Sequence, residues 1–153
     1  MLETVFLFMM TVENIHGRET LQQFLKYNIP IKCVIIEHKS KYAENARNYL
    51  MNDFYNPGSF DEIIQGRNID VFYVDNHNDE KTLQILEKYN PDYIILGGAR
   101  ILKEHVIKYT KFGILNSHPA ILPKYRGLDC VAWTILENDS VGATVHYIDP
   151  GVD

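Results

Sequence analysis

Asn116 and His118 stand two residues apart in Gly113-Ile114-Leu115-Asn116-Ser117-His118, whose apolar start reads as a strand. Residues two apart on an extended segment share a face, so this amide and this imidazole can converge on one substrate. An amide N–H can donate to a developing oxyanion. A neutral imidazole, with an ordinary pKa near ~6.5, can take a proton from an attacking amine. The same pair also fits a plain turn, with Asn116 as its cap and His118 partly buried. Leu122-Pro123-Lys124-Tyr125-Arg126-Gly127 follows, proline-constrained and basic, suited to an anionic group or to solvent. His146, Asp149 and Asp153 flank a last apolar segment, and a carboxylate past the Pro150-Gly151 turn could orient an imidazole. Upstream, Gly97-Gly98-Ala99-Arg100-Ile101-Leu102 closes another apolar run. Glycines there let a flat ligand approach the backbone, though they also suit a tight strand-to-helix turn. His16, His38, His77 and His105 have no ligand spacing and read as surface or supporting residues.

Short apolar runs alternate with longer amphipathic segments. Strands are predicted at Val5–Met10, Ile31–Ile36, Val71–Val74, Tyr93–Leu96, Gly113–Asn116 and Ala143–Ile148. Helices are predicted at Gly17–Tyr27, Lys41–Asn52, Phe60–Gln65, Asp79–Tyr89, Leu102–Tyr109 and Leu128–Glu137, with a turn at Asn56-Pro57-Gly58. The alternation predicts an α/β fold, a Rossmann-like and mostly parallel sheet with helices on both faces. Ligands of such sheets sit beyond the carboxyl ends of the strands, here Thr11 to His16, Glu37-His38, Asp75, Gly97 to Leu102 and Asn116 to His118.

The 153 residues form one domain on the length prior, with 46% apolar and 23% charged residues. A net charge of -5 argues against a nucleic-acid partner held by a basic face. No apolar stretch approaches the ~18 residues of a membrane span, and Glu3 precedes the N-terminal apolar run where a signal peptide carries lysines. Cys33 and Cys130 signal neither a disulfide framework nor a metal site, and fit a reducing, cytoplasmic setting. The first strand end, Thr11-Val12-Glu13-Asn14-Ile15-His16-Gly17, lacks Gly-x-Gly-x-x-Gly, and no phosphate-binding Gly-x-x-x-x-Gly-Lys loop occurs. Dinucleotide and nucleoside-triphosphate chemistry are therefore not expected.

The run from Gly113 to Gly127, then Gly142-Ala143-Thr144-Val145-His146 and Gly151-Val152-Asp153, resembles the formyltransferase family that uses 10-formyltetrahydrofolate. That family spans glycinamide ribonucleotide, methionyl-tRNA and sugar N-formyltransferases and a formyltetrahydrofolate deformylase. The order Asn-x-His, Leu-Pro-x-Tyr-Arg-Gly, Gly-x-Thr-x-His and Gly-x-Asp is specific as a set and covers the last third of the chain. The resemblance implies Asn116, His118 and Asp153 as catalytic residues, with an amine attacking the formyl carbon of the folate. It implies a folate site at Gly98, Ala99, Arg100, Ile101, Leu102, Gly151 and Val152, and acceptor contacts at Lys124, Tyr125, Arg126 and Gly127. It implies no metal, and often a cis Leu-Pro bond, here Leu122-Pro123. The family continues past the position of Asp153, so residues 1–153 are expected to be one catalytic domain, C-terminally incomplete relative to it. Purine-pathway members carry Gly-Ser-Asn at the first strand end; Glu13 here would repel a phosphate. A nucleotide-linked amino sugar is thus the preferred acceptor, with a homodimer compatible. The alternatives are a formyltetrahydrofolate hydrolase and an inactive folate-binding fragment.

Overall fold

The computed structural model describes residues 6–11, 15–38 and 58–150. The predicted Lys41–Asn52 helix, and Gly151, Val152 and Asp153, lie outside the described residues.

Among the described residues six strands form one sheet: β1 (Phe6–Thr11), β2 (Ile31–Glu37), β3 (Asp70–Val74), β4 (Tyr93–Gly97), β5 (Gly113–His118) and β6 (Thr144–Tyr147). Their order is β3-β2-β1-β4-β5-β6. All neighbours pair in parallel except β5 and β6, which are antiparallel. The mostly parallel Rossmann-like sheet expected from the sequence is therefore present. Its order reverses direction at β1 and β4, and a crevice opens at such a switch point beyond the strand carboxyl ends.

Both faces of the sheet are covered, which explains the nearly continuous apolar strands. On one face Phe8, Met10, Val34 and Ile36 pack against Leu21 and Leu25 of α1 (Ile15–Lys26) and Phe60 and Ile63 of α2 (Phe60–Ile64). On the other, Leu7, Met9, Ile35, Ile94 and Ile114 meet Ile85 and Leu86 of α3 (Glu80–Tyr89) and Val106 of α4 (Glu104–Ile107). Helix α5 spans Cys130–Leu136. Apolar residues of α5 and β6, among them Trp133, Leu136, Val145 and Tyr147, are exposed.

Local chemistry sets the helix bounds. Asp79 caps α3 by accepting from the Thr82 N–H at 2.8 Å, and Asn90 ends it in the left-handed region at φ 46°. Ser59 and Glu62 form a reciprocal capping box on α2. Helix α4 is shorter than the predicted Leu102–Tyr109. Leu102 is drawn into the core and Lys103 is the extended N-cap residue. Likewise α5 starts at Cys130 rather than Leu128, because Asp129 takes a left-handed backbone at φ 56°.

Glycines bring α1 close to the site. A Cβ on Gly17 would run into the Gly97 carbonyl, and one on Gly97 would lie 2.7 Å from the Gly17 Cα and overlap the Phe8 ring. Gly98 has φ 79°, which glycine adopts freely. The glycine pair thus has a packing and turn role of its own.

Candidate active site

Strand β5 presents Asn116 and His118 on the face that also carries Ile114. Neighbouring β6 places His146 directly opposite Asn116 in the antiparallel register. The Asn116 Nδ2 lies 3.2 Å from His146 Nε2. Because an amide nitrogen can only donate, His146 Nε2 accepts, and the ring proton sits on Nδ1. That proton points to the Tyr147 carbonyl at 3.1 Å. The two bonds agree on one tautomer. One hydrogen of the Asn116 amide is thereby committed to His146, which fixes the rotation of the other.

His118 is almost wholly buried. Its Nε2 lies 2.8 Å from the Tyr125 carbonyl oxygen, which can only accept, so Nε2 carries a proton. Proton acceptance by the neutral ring then belongs to Nδ1. Cys130 Sγ lies 3.3 Å from the same Nε2 and donates its own proton to the Gly127 carbonyl at 3.2 Å. The His118 and His146 rings meet edge to face, 6.4 Å between centroids. The Cys130 contact is invisible in the sequence. No spacing rule links a helix-start thiol to a histidine twelve residues earlier.

The loop from Pro119 to Gly127 explains why its motif clusters. The Leu122-Pro123 bond is cis. Thr144 Oγ1 donates to the Ala120 carbonyl at 2.8 Å and accepts from the Leu122 N–H at 3.1 Å, so β6 holds this loop. Tyr125 is buried, its hydroxyl 2.8 Å from Glu137 Oε2 and 3.0 Å from Asp139 Oδ2. Lys124 is exposed and pairs with Asp139. That lysine, with the Ser140 N–H and the Tyr125 hydroxyl, lowers the Asp139 carboxyl to about 2. Arg126 and Gly127 are exposed. Among the four residues assigned to acceptor contacts, Tyr125 thus serves His118 through its carbonyl and packs its side chain inward.

After β4, the loop through Gly98, Ala99, Arg100, Ile101 and Leu102 runs along the same end of the sheet. Leu102 is buried, Ala99 packs on the core and Ile101 is exposed. Arg100 forms an ion pair with Glu37, the buried last residue of β2. His16 opens α1 and is hydrogen-bonded to the Ser117 backbone. Loss of water around its ring pushes its pKa below the ordinary value, and that bond opposes the shift.

Of the two places expected for His77, surface or supporting, the structure excludes the surface: the residue is fully buried. Its backbone N–H donates to Glu37 Oε2 at 3.0 Å, and its Nε2 lies 3.3 Å from the Ile35 carbonyl. The Glu37 carboxylate draws the turn after β3 under the sheet end, which single-sequence spacing does not show. Asp149 is among the described residues, whereas Asp153, the third catalytic candidate, lies outside them.

A profile described as Formyl transferase matches residues 8–153. The chain belongs to the formyl transferase family. A methionyl-tRNA formyltransferase of Finegoldia magna is 32% identical over 128 residues, covering 82% of this chain and 39% of that protein. The chain therefore spans well under half of that relative's length. Among solved structures, a phosphoribosylglycinamide formyltransferase from Anaplasma phagocytophilum superposes with a TM-score of 0.70 at 21% identity, covering 99% of this chain and 67% of the other. A sugar N-formyltransferase from Shewanella gives a TM-score of 0.55 at 14% identity, covering 99% and 54%. These two likenesses establish the formyl transferase fold. Among the described residues no helix is long and apolar enough to cross a membrane.

Proposed function

We propose that this formyl transferase domain moves a formyl group from 10-formyltetrahydrofolate to a primary amine. The observation that carries the reading is the pairing of Asn116 with His146 beside the buried, oriented His118 at one carboxyl end of the sheet. The folate supplies an activated formyl carbon. Asn116 has one amide hydrogen left for the formyl oxygen as negative charge develops there. His118 Nδ1 takes the proton that the attacking amine sheds, while the Tyr125 carbonyl holds the ring. Asp153 would orient His118.

The loop from Gly98 to Leu102 fits the flat end of the donor. Gly98 leaves the backbone open, and Ile101 offers an exposed apolar side chain. Gly151 and Val152 complete the set of donor-binding residues. Lys124, Tyr125, Arg126 and Gly127 are the acceptor-side contacts, and residues 1–153 belong to a single catalytic domain that works in the cytoplasm. The preferred acceptor is a nucleotide-linked amino sugar, since Glu13 stands where a phosphate-binding loop would need a neutral residue.

The protein is supplied with labelled 10-formyltetrahydrofolate and a panel of amino-sugar nucleotides, methionyl-tRNA and glycinamide ribonucleotide. Label is expected in a formamide of the amino-sugar nucleotide. Label in formate without an acceptor would establish hydrolysis instead, and donor binding without turnover would leave a folate-binding domain only.

A further inference from the structure

We infer that Glu37 is a positioning residue that fixes the donor-facing loop, acting through Arg100 and the turn at His77; the donor-facing role of that loop rests on the function proposed above. Glu37 ends β2 and has no exposed surface. A buried carboxylate is stable only with charged or hydrogen-bonded partners, and this one is met from two different loops, with the His77 ring Nδ1 also 3.4 Å from its Oε2. Its Oε2 accepts the His77 backbone N–H at 3.0 Å. Its Oε1 faces the Arg100 guanidinium in an ion pair. Strands β2 and β4 both pair with β1, so the pair passes over the end of the central strand.

The turn that Glu37 holds grips the same loop a second time. Asn78 Nδ2 donates to the Ile101 carbonyl at 3.0 Å, and Asn78 Oδ1 accepts the Lys103 N–H at 2.6 Å. The His105 ring lies 3.0 Å from the Asn78 carbonyl. Asn78 is itself held by Asn76 Oδ1, which accepts its N–H at 2.8 Å. One buried carboxylate thus sets both the side-chain tether at Arg100 and the backbone clamp at Ile101 to Lys103. Arg100 works as the loop's anchor to the sheet, a different part from direct donor contact.

The test compares wild type with Glu37→Gln, Arg100→Gln and the double variant, which removes both charges together. Hydrogen exchange across 98–105 reads the loop, exchange in β1 and β4 reads the sheet, and calorimetry with the stable donor analogue 10-formyl-5,8-dideazafolate reads the site. In Glu37→Gln the loop is expected to exchange about tenfold faster while the sheet is unchanged. The analogue's Kd should rise about tenfold, and the double variant should be no worse than Glu37→Gln. Unchanged loop exchange in a folded Glu37→Gln would overturn the anchor, and faster exchange with an unchanged Kd would overturn the loop's donor-facing role. Should Glu37→Gln fail to fold, the double variant is measured in its place: faster loop exchange supports the anchor and unchanged exchange overturns it. Wild type that does not bind the analogue would overturn the donor reading alone, because loop exchange still tests the anchor.

Discussion

Each candidate catalytic side chain on β5 is oriented by a hydrogen bond whose direction is unambiguous. Asn116 can only donate through its nitrogen, and the Tyr125 carbonyl can only accept. Loss of one oxyanion donor costs about 3 kcal/mol in a transition state, or 10²–10³ in rate. Asn116→Ala should therefore lower kcat by that factor, while loss of its bond to His146 lowers the melting temperature by only a few degrees, as steady-state kinetics and calorimetry would show. The thiols behave differently. Burial, with help from Asp70, pushes Cys33 up to about 12. At pH 8 almost no thiolate is present there, so iodoacetamide should leave Cys33 unmodified until urea unfolds the chain, as peptide mass mapping would record. At this scale Asn116 and His118 were legible because strand periodicity is local. Cys130 and Glu37 were not, since their contacts join separate elements, twelve residues apart for Cys130 and His118 and forty for Glu37 and His77.

Helices α2 and α3 are bounded at their starts by side-chain caps. Asp79→Ala removes the acceptor for the Thr82 N–H and should destabilise the protein by about 1 kcal/mol. Urea denaturation would measure it, with Asp79→Asn retaining most of the stability. Close packing between α1 and β4 is stricter. Gly17→Ala forces a methyl group against the Gly97 carbonyl and to within 3.0 Å of the Met10 Cβ. Overpacking of this kind costs about 1–3 kcal/mol, and it moves the start of α1, where His16 meets Ser117. The expected outcome is a lower melting temperature, together with weaker binding of the donor analogue. Strands β1 to β5 follow from continuous apolar runs, and the structure bears them out where it describes them. Helices α4 and α5 are shorter than their periodicity predicts, because Leu102 and Leu128 fall in helical register. The backbone at Lys103 and Asp129 has already left the helical region.

For the molecule as a whole, pH acts through the buried charges at the sheet end. Burial holds His77 below its ordinary value, and Arg100 adds to this; Glu37, the Ile35 carbonyl and Asp79 oppose it. The unfolded chain therefore binds a proton at His77 more readily than the folded one. Stability from this group is full above the unfolded value, near ~6.5. It is lost as the pH falls from there toward the lower native value, with a slope of up to about 1.4 kcal/mol per pH unit. Urea midpoints measured from pH 7.5 to 5.5 should fall more steeply in wild type than in His77→Gln, whose amide can still donate to the Ile35 carbonyl. Equal slopes would show that His77 plays no part in the acid response. His16 is shifted in the same direction, but its exposure screens its contribution.

The sequence by itself determined the α/β class, the strand ends where chemistry could sit, and the family, because these depend on periodicity and on one unbroken run of motif residues. It also fixed the pair Asn116 and His118, since a two-residue spacing on a strand is a local geometric fact. Tertiary structure alone decided which atom of each ring carries a proton, that β6 runs antiparallel with His146 facing Asn116, and that Glu37 joins Arg100 to His77. Those facts come from elements distant in sequence meeting across the sheet, where polar groups drawn away from water take charged or hydrogen-bonding neighbours.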